Sequence, residues 1–241
     1  MSTRLARIVF PPLLALLSGL EATAKAGDTC ADFHISPYSF GGIAQDYSNS
    51  LVMLKSGNNS GEGFLIDSKR KLFITARHVI EASIGKDNKN NNIPILAEND
   101  EHSKFRLNII DADSNLDVAM LQAEDIINFD NVLPVELYFD SVGAGTLVTF
   151  PGLGFAHSKD VHATSPAPTT VTYDNDDGVM LLRVPTYAGD SGAPVYTDQG
   201  VVVGIVQKKQ MQDQGTAMRA DRLADFFLGT LMIMRRAVFA I

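Results

Sequence analysis

Short runs of β-branched, aliphatic and aromatic residues, separated by clusters of Gly, Asn, Asp and Pro, constrain the fold of this 241-residue chain more than any other feature. Leu51–Leu54, Gly63–Ile66, Leu72–Ile74, Phe105–Ile110, Val118–Leu121, Leu147–Phe150, Val179–Val184 and Val201–Val206 are all of strand length and bounded by turn residues. No heptad, tandem repeat or long helical stretch interrupts them. The pattern predicts an all-β interior built from many short strands. With 45% hydrophobic and 20% charged residues the chain has a globular composition, and its length suits one large β domain or two small packed ones.

Chemistry concentrates in three places among these runs. Gly189-Asp190-Ser191-Gly192 sets a serine between two glycines, which let the backbone turn sharply and bring its amides near a substrate carbonyl. Taken alone, the same four residues also suit an ordinary turn. Leu72-Phe73-Ile74-Thr75-Ala76-Arg77-His78 is a strand pattern ending in a histidine, and the apolar run Leu116–Leu121 is broken by Asp117. A serine hydroxyl needs a neighbouring base to take its proton, and histidine titrates near neutrality. The imidazole in turn needs a carboxylate to hold its tautomer. Individually, His78 suits a strand end and Asp117 a turn cap; together with the serine they make an acyl-transfer constellation.

Thr75-Ala76-Arg77-His78, Asp117-Val118-Ala119 and Gly189-Asp190-Ser191-Gly192, in the order His, Asp, Ser, resemble the chymotrypsin-like (trypsin-like) serine peptidases, the compact bacterial branch included. Ser60–Asp67 resembles the glycine-flanked strand that leads to the histidine motif in that family. The resemblance covers about residue 50 to residue 207. It implies two packed six-stranded Greek-key β-barrels with a C-terminal helix, the first barrel within 27–134 and the second, with helix and tail, within 135–241. It implies His78 as general base and acid, Asp117 as its orienter, Ser191 as nucleophile, and an oxyanion hole from the backbone N–H groups of Gly189 and Ser191. No metal or organic cofactor is implied, and the substrate is a polypeptide.

Departures from the family narrow the expectation. No Ile-Val-Gly-Gly activation sequence precedes the first barrel, which leaves Asp190 without its usual partner. The resemblance puts Pro185 where trypsin carries its basic-selecting aspartate, arguing against cleavage after Lys or Arg. Gly204–Lys209 is expected to form the wall on which substrate backbone pairs, with Gln207, Lys208 and Lys209 as substrate-binding residues. Family members often have serine at the Gln207 position and glycine at Lys209. A catalytically silent binding or adhesion module is the alternative function, since Gln207, Lys208 and Lys209 have the bulk to obstruct the cleft. A protease-chaperone of the HtrA type is disfavoured, because little length follows the second barrel for a peptide-binding domain.

The N-terminus sets the expected compartment. Arg4 and Arg7 precede the apolar run Ile8–Leu17, and Ala22, Ala24 and Ala26 follow at cleavage spacing. This is the pattern of a secretory signal peptide over 1–26, cleaved near Ala26, and it predicts a secreted or periplasmic protein. The run is too short and proline-broken to span a membrane. The chain carries −8; without residues 1–26 the remainder carries about −10. That acidity argues against nucleic acid or an anionic membrane as partner. Cys30 is the sole cysteine, so no intrachain disulfide forms and an inert thiol is expected.

Other features read as ordinary structure. His157 and His162 lie five apart, which fits neither a helix face nor a zinc pair. Gly152-Leu153-Gly154 lacks the lysine of a phosphate loop, and Gly85–Asn92 lacks the spacing of a calcium loop. Asp221–Leu228 has helical spacing behind an Asp221 cap. The apolar tail that continues beyond it is expected to pack on the core, with a membrane-surface or partner contact by residues 226–241 as the lesser reading.

Overall fold

The computed structural model describes residues 48–84, 93–99, 103–124, 128–139, 142–150, 169–174, 178–183, 186, 189–197, 200–211 and 214–238. The expected signal peptide, Cys30, Pro185, the two loop histidines and the Gly85–Asn92 and Gly152–Gly154 segments lie outside these residues. Strands β1 (Leu51–Ser56), β2 (Asn59–Asp67), β3 (Leu72–Ala76), β4 (Ile95–Asn99), β5 (Lys104–Asp113) and β6 (Val118–Ala123) close into one barrel in the order β1-β2-β3-β6-β5-β4. Strands β7 (Leu147–Thr149), β8 (Thr169–Asp174), β9 (Val179–Leu182), β10 (Pro194–Thr197), β11 (Val202–Met211) and β12 (Gln214–Arg219) close into a second. Its order, β7-β8-β9-β12-β11-β10, repeats the connectivity of the first strand for strand. Closure gives every strand a neighbour on both sides, although the outer part of β11, from Lys208 on, pairs with β12 alone.

The alternation of side chains explains why several strands read as continuous apolar runs. In β6, Val118 and Met120 face a core shared with the second barrel, while Ala119, Leu121 and Ala123 face the interior of their own. β3 does the same: Leu72 and Ile74 point to the shared core and Phe73 points inward. Strands with both faces buried lose the polar half of the alternation. By contrast β5 begins with exposed Lys104, Arg106 and Asn108 alternating with buried Phe105 and Leu107. Phe73, Phe105 and Phe129 pack as a ring triangle with centroids 5.4–5.8 Å apart, filling the first barrel. The shared core draws Tyr196, Val202, Ile205, Met218 and Phe227 from the second barrel's side.

The C-terminal segment corrects one expectation. Asp221 is not a helix cap: it sits inside a 3-10 turn, Ala220–Leu223, and its carboxylate takes two hydrogen bonds from the Arg219 guanidinium at 2.9 and 2.7 Å. The helix proper spans Ala224–Val238 and runs straight through Gly229, so most of the apolar tail is helical. Phe226, Phe227, Leu231 and Met234, at helical spacing, pack on the shared core. Thr230 is buried and donates to Asp111 Oδ2 at 2.8 Å, tying the helix to β5 of the first barrel. Leu228 and Met232 lie exposed on the outer face.

Candidate active site

The register of the first barrel brings the histidine to the aspartate. Pairing of Ala76 with Val118 at the end of the β3–β6 ladder sets Arg77 opposite Asp117, and Arg77 N–H donates to the Asp117 carbonyl at 3.1 Å. β3 stops at Ala76, so His78 belongs to a 3-10 turn, Arg77–Ile80, that follows the strand. Val79 and Ile80 are buried and anchor that turn, leaving the His78 side chain partly exposed. Asn59 on β2 donates its amide to the His78 carbonyl at 3.1 Å, fixing the turn from the other side.

Asp117 binds this turn twice. One carboxylate oxygen accepts the His78 backbone N–H at 2.9 Å, and the other lies 2.8 Å from His78 Nδ1. A carboxylate only accepts, so Nδ1 carries a proton, and in the neutral ring Nε2 is the nitrogen with the free lone pair. Asp117 has φ of 51°, an uncommon backbone conformation that Asp tolerates better than most residues. Asp113 Oδ1 supports the turn before it by accepting the Asn115 and Leu116 N–H groups at 2.7 and 3.0 Å.

Ser191 occupies a tight turn in which Ala193 N–H donates to the Asp190 carbonyl at 3.0 Å. Gly192 has φ of 92°, as the third position of a type II turn requires. The turn is seated between the barrels. Glu62 N–H on β2 donates to the Ser191 carbonyl at 2.7 Å, and Gly192 N–H donates to Val206 on β11 at 2.7 Å. Gly61 makes room for this: a Cβ there would lie 2.6 Å from the Ser191 carbonyl oxygen and 2.5 Å from Val79 of the histidine turn. Buried Thr75 completes the seat by donating to the Glu62 carbonyl at 2.6 Å.

The serine hydroxyl itself points to β11. Ser191 Oγ donates to the Gln207 carbonyl at 2.6 Å, and among the described residues no hydrogen bond joins it to His78. The Gln207 side chain crosses to the first barrel, its Nε2 donating to the Leu116 carbonyl at 3.1 Å. Gly189 has φ of 108°, but Ala188, whose carbonyl orientation governs the Gly189 N–H, is not among the described residues. The same holds for Pro185 and for the side chains of Lys208 and Lys209, although both lysines are placed on β11 opposite Thr216 and Gly215. Thr186 is buried against Gly215, where an added Cβ would lie 2.3 Å from Thr186 Cγ2. The structure thus brings His78, Asp117, Ser191 and Gln207 together. Asn59 is a supporting residue outside every sequence motif, while Thr75 and Leu116 lie inside the quoted motifs but were given no role there.

A family model described as a trypsin-like peptidase domain matches residues 61–205, a span that includes His78, Asp117 and Ser191. Among solved structures, a serine endoprotease from Yersinia pestis superposes with a TM-score of 0.62 at 14% identity, covering 82% of this chain and 68% of that one. An M. tuberculosis protein, solved as an inactive serine-to-alanine mutant, superposes with a TM-score of 0.59 at 18% identity, covering 78% of this chain and 89% of that one. No curated protein matches the sequence significantly. At such identities the structural likeness speaks to the fold: two closed six-stranded barrels and a C-terminal helix.

Proposed function

The chain belongs to the trypsin-like peptidase domain family, and from that premise we propose that it is a serine endopeptidase acting through an acyl-enzyme on Ser191. The observation that carries the proposal is the pair of hydrogen bonds that the Asp117 carboxylate accepts from the His78 backbone N–H and from Nδ1–H, which in the neutral ring makes Nε2 the basic nitrogen. Rotation of the Ser191 side chain away from the Gln207 carbonyl brings the hydroxyl to that nitrogen. His78 takes the proton as Oγ bonds to the peptide carbonyl carbon, and the oxyanion is held by the Gly189 and Ser191 N–H groups. Collapse of the tetrahedral adduct breaks the C–N bond, and His78 returns the proton to the leaving amine. Water, deprotonated by the same imidazole, then hydrolyses the ester and regenerates the serine.

The peptide substrate adds as a strand along β11 beyond the end of β10, where Gln207, Lys208 and Lys209 lie. Pro185 disfavours selection of a basic side chain. Residues 1–26 act as a secretory signal, placing the enzyme outside the cytoplasm. Replacing Ser191 with Ala is the test: casein hydrolysis by the purified protein is abolished while the circular dichroism spectrum is retained, and a fully active variant would sink the mechanism.

One observation favours a second reading. Because the hydroxyl of Ser191 is bonded to Gln207 rather than His78, the same site serves a silent binding module if the side chain never leaves that position. Hydrolysis of any protein substrate by the wild type, lost in the Ser191→Ala variant, excludes it.

A further inference from the structure

Gln207 bonds to both halves of the candidate site, and it does so because the β11 ladder is irregular there. Val206 pairs with Ala217 and Lys208 with Thr216, so Gln207 is an extra residue with no cross-strand partner. Such a bulge bends a strand and re-aims a side chain, and bulges gather beside active sites. Here the re-aimed side chain leaves its own barrel and donates from Nε2 to the Leu116 carbonyl at 3.1 Å. Only the NH2 end of the amide can bond a carbonyl, so the orientation of the group is fixed by its partner. Leu116 immediately precedes Asp117, whose backbone and carboxylate hold the histidine turn. At its other end, the Gln207 carbonyl accepts the Ser191 hydroxyl at 2.6 Å.

We infer that Gln207 is a positioning residue: a strut that sets the distance between the nucleophile on one barrel and the Asp117–His78 pair on the other. The assignment rests on the peptidase reading and refines it. Gln207 touches neither reacting atom through its side chain; the amide acts through the Leu116 carbonyl on the aspartate turn. A part-buried carbonyl stripped of its donor lets that turn relax, and misplacement by a fraction of an ångström lowers the rate of attack without removing any catalytic group.

The experiment compares wild type, Gln207→Met and Gln207→Glu in the full-length chain, read by second-order labelling with a fluorophosphonate and by kcat and KM on a peptide ester. Met keeps the length and removes the donor; Glu puts a carboxylate against the Leu116 carbonyl. The strut predicts labelling in the order wild type, Met, Glu, with Met slower by about tenfold, the loss in kcat, and KM within about twofold. A role in apolar packing alone predicts Met equal to wild type, and a role in substrate binding puts the loss in KM; either result overturns the assignment. So does a fall of more than about 10 °C in the thermal midpoint of Gln207→Met, which marks a residue of the fold rather than of the site. Failure of the folded wild type to label is a different outcome: it removes the peptidase reading itself, and the strut with it.

Discussion

Gly192 in the serine turn is seated against Glu62 on the first barrel so closely that a Cβ on it would lie 2.0 Å from the Glu62 carbonyl oxygen. The contact is main chain to main chain, and neither side can swing away as a long side chain would. The position of Ser191 is therefore set by the junction of the barrels and not by the second barrel alone.

Replacing Gly192 with Ala should destabilise the protein by at least ~3 kcal/mol, from the left-handed backbone and the unrelievable overlap together. Gly145, with φ of 88° but open space around it, supplies the comparison. Its Ala variant carries only the conformational term, about 1–2 kcal/mol. Urea midpoints of the two variants check this, and equal losses would show that the Glu62 contact yields.

Asp117→Asn should leave the fold intact and reduce kcat by a factor on the order of 10⁴. The amide still reaches His78, but its NH2 end cannot accept from Nδ1–H, so either the bond is lost or the ring adopts the tautomer with Nε2 protonated. Circular dichroism and steady-state kinetics on one preparation separate the two effects. A loss of less than tenfold contradicts the assigned role.

Phe73→Ala should lose about 3–5 kcal/mol, because it empties the centre of the Phe73–Phe105–Phe129 triangle. Leu228→Ser, on the exposed outer face of the C-terminal helix, should stay within about 0.5 kcal/mol of wild type. Denaturant unfolding measures both. A large loss at Leu228 would mean that this face is covered in solution.

Thr230→Val should weaken the attachment of the C-terminal helix to β5. The variant keeps the shape and removes the hydroxyl that donates to Asp111, leaving a part-buried carboxylate short of a donor, for about 1–3 kcal/mol. Faster proteolytic trimming of the C-terminus under native conditions is the expected readout, and trimming at the wild-type rate would contradict it.

What the sequence made legible follows from composition. Strands β1, β3 and β6 advertise themselves because most residues on both faces are buried, and β9 because all four of its residues are apolar. The strands that the apolar runs did not mark have physical reasons to hide. β4 carries Glu98 and Asn99, β8 is rich in Thr and ends in Asp174, β10 opens on Pro194, and β12 contains Gly215 and Thr216. Each is stabilised by the ladder that closes its barrel, a tertiary effect that local propensity does not carry. The two-barrel arrangement itself came with the family resemblance.

The site divides in the same way. His78 and Asp117 were identifiable as residue types in motifs, and the geometry that joins them follows from the β3–β6 register. The histidine was expected at a strand end and lies in a 3-10 turn, because buried Val79 and Ile80 pull the chain inward after Ala76. Gln207 was marked for substrate contact, but its side chain is engaged on the Leu116 carbonyl. A one-residue bulge leaves no mark in composition or spacing, so that reach was not readable from the chain. Asp221 shows the converse error: a good capping residue whose carboxylate is taken by Arg219 two positions earlier.

The most direct measurement is reaction of the purified wild type with a fluorophosphonate, followed by mass spectrometry of the modified peptide. The account predicts one adduct per chain, on Ser191, lost in Ser191→Ala and strongly slowed in His78→Ala. A folded wild-type protein that takes up no adduct, or carries it on another residue, would contradict the account.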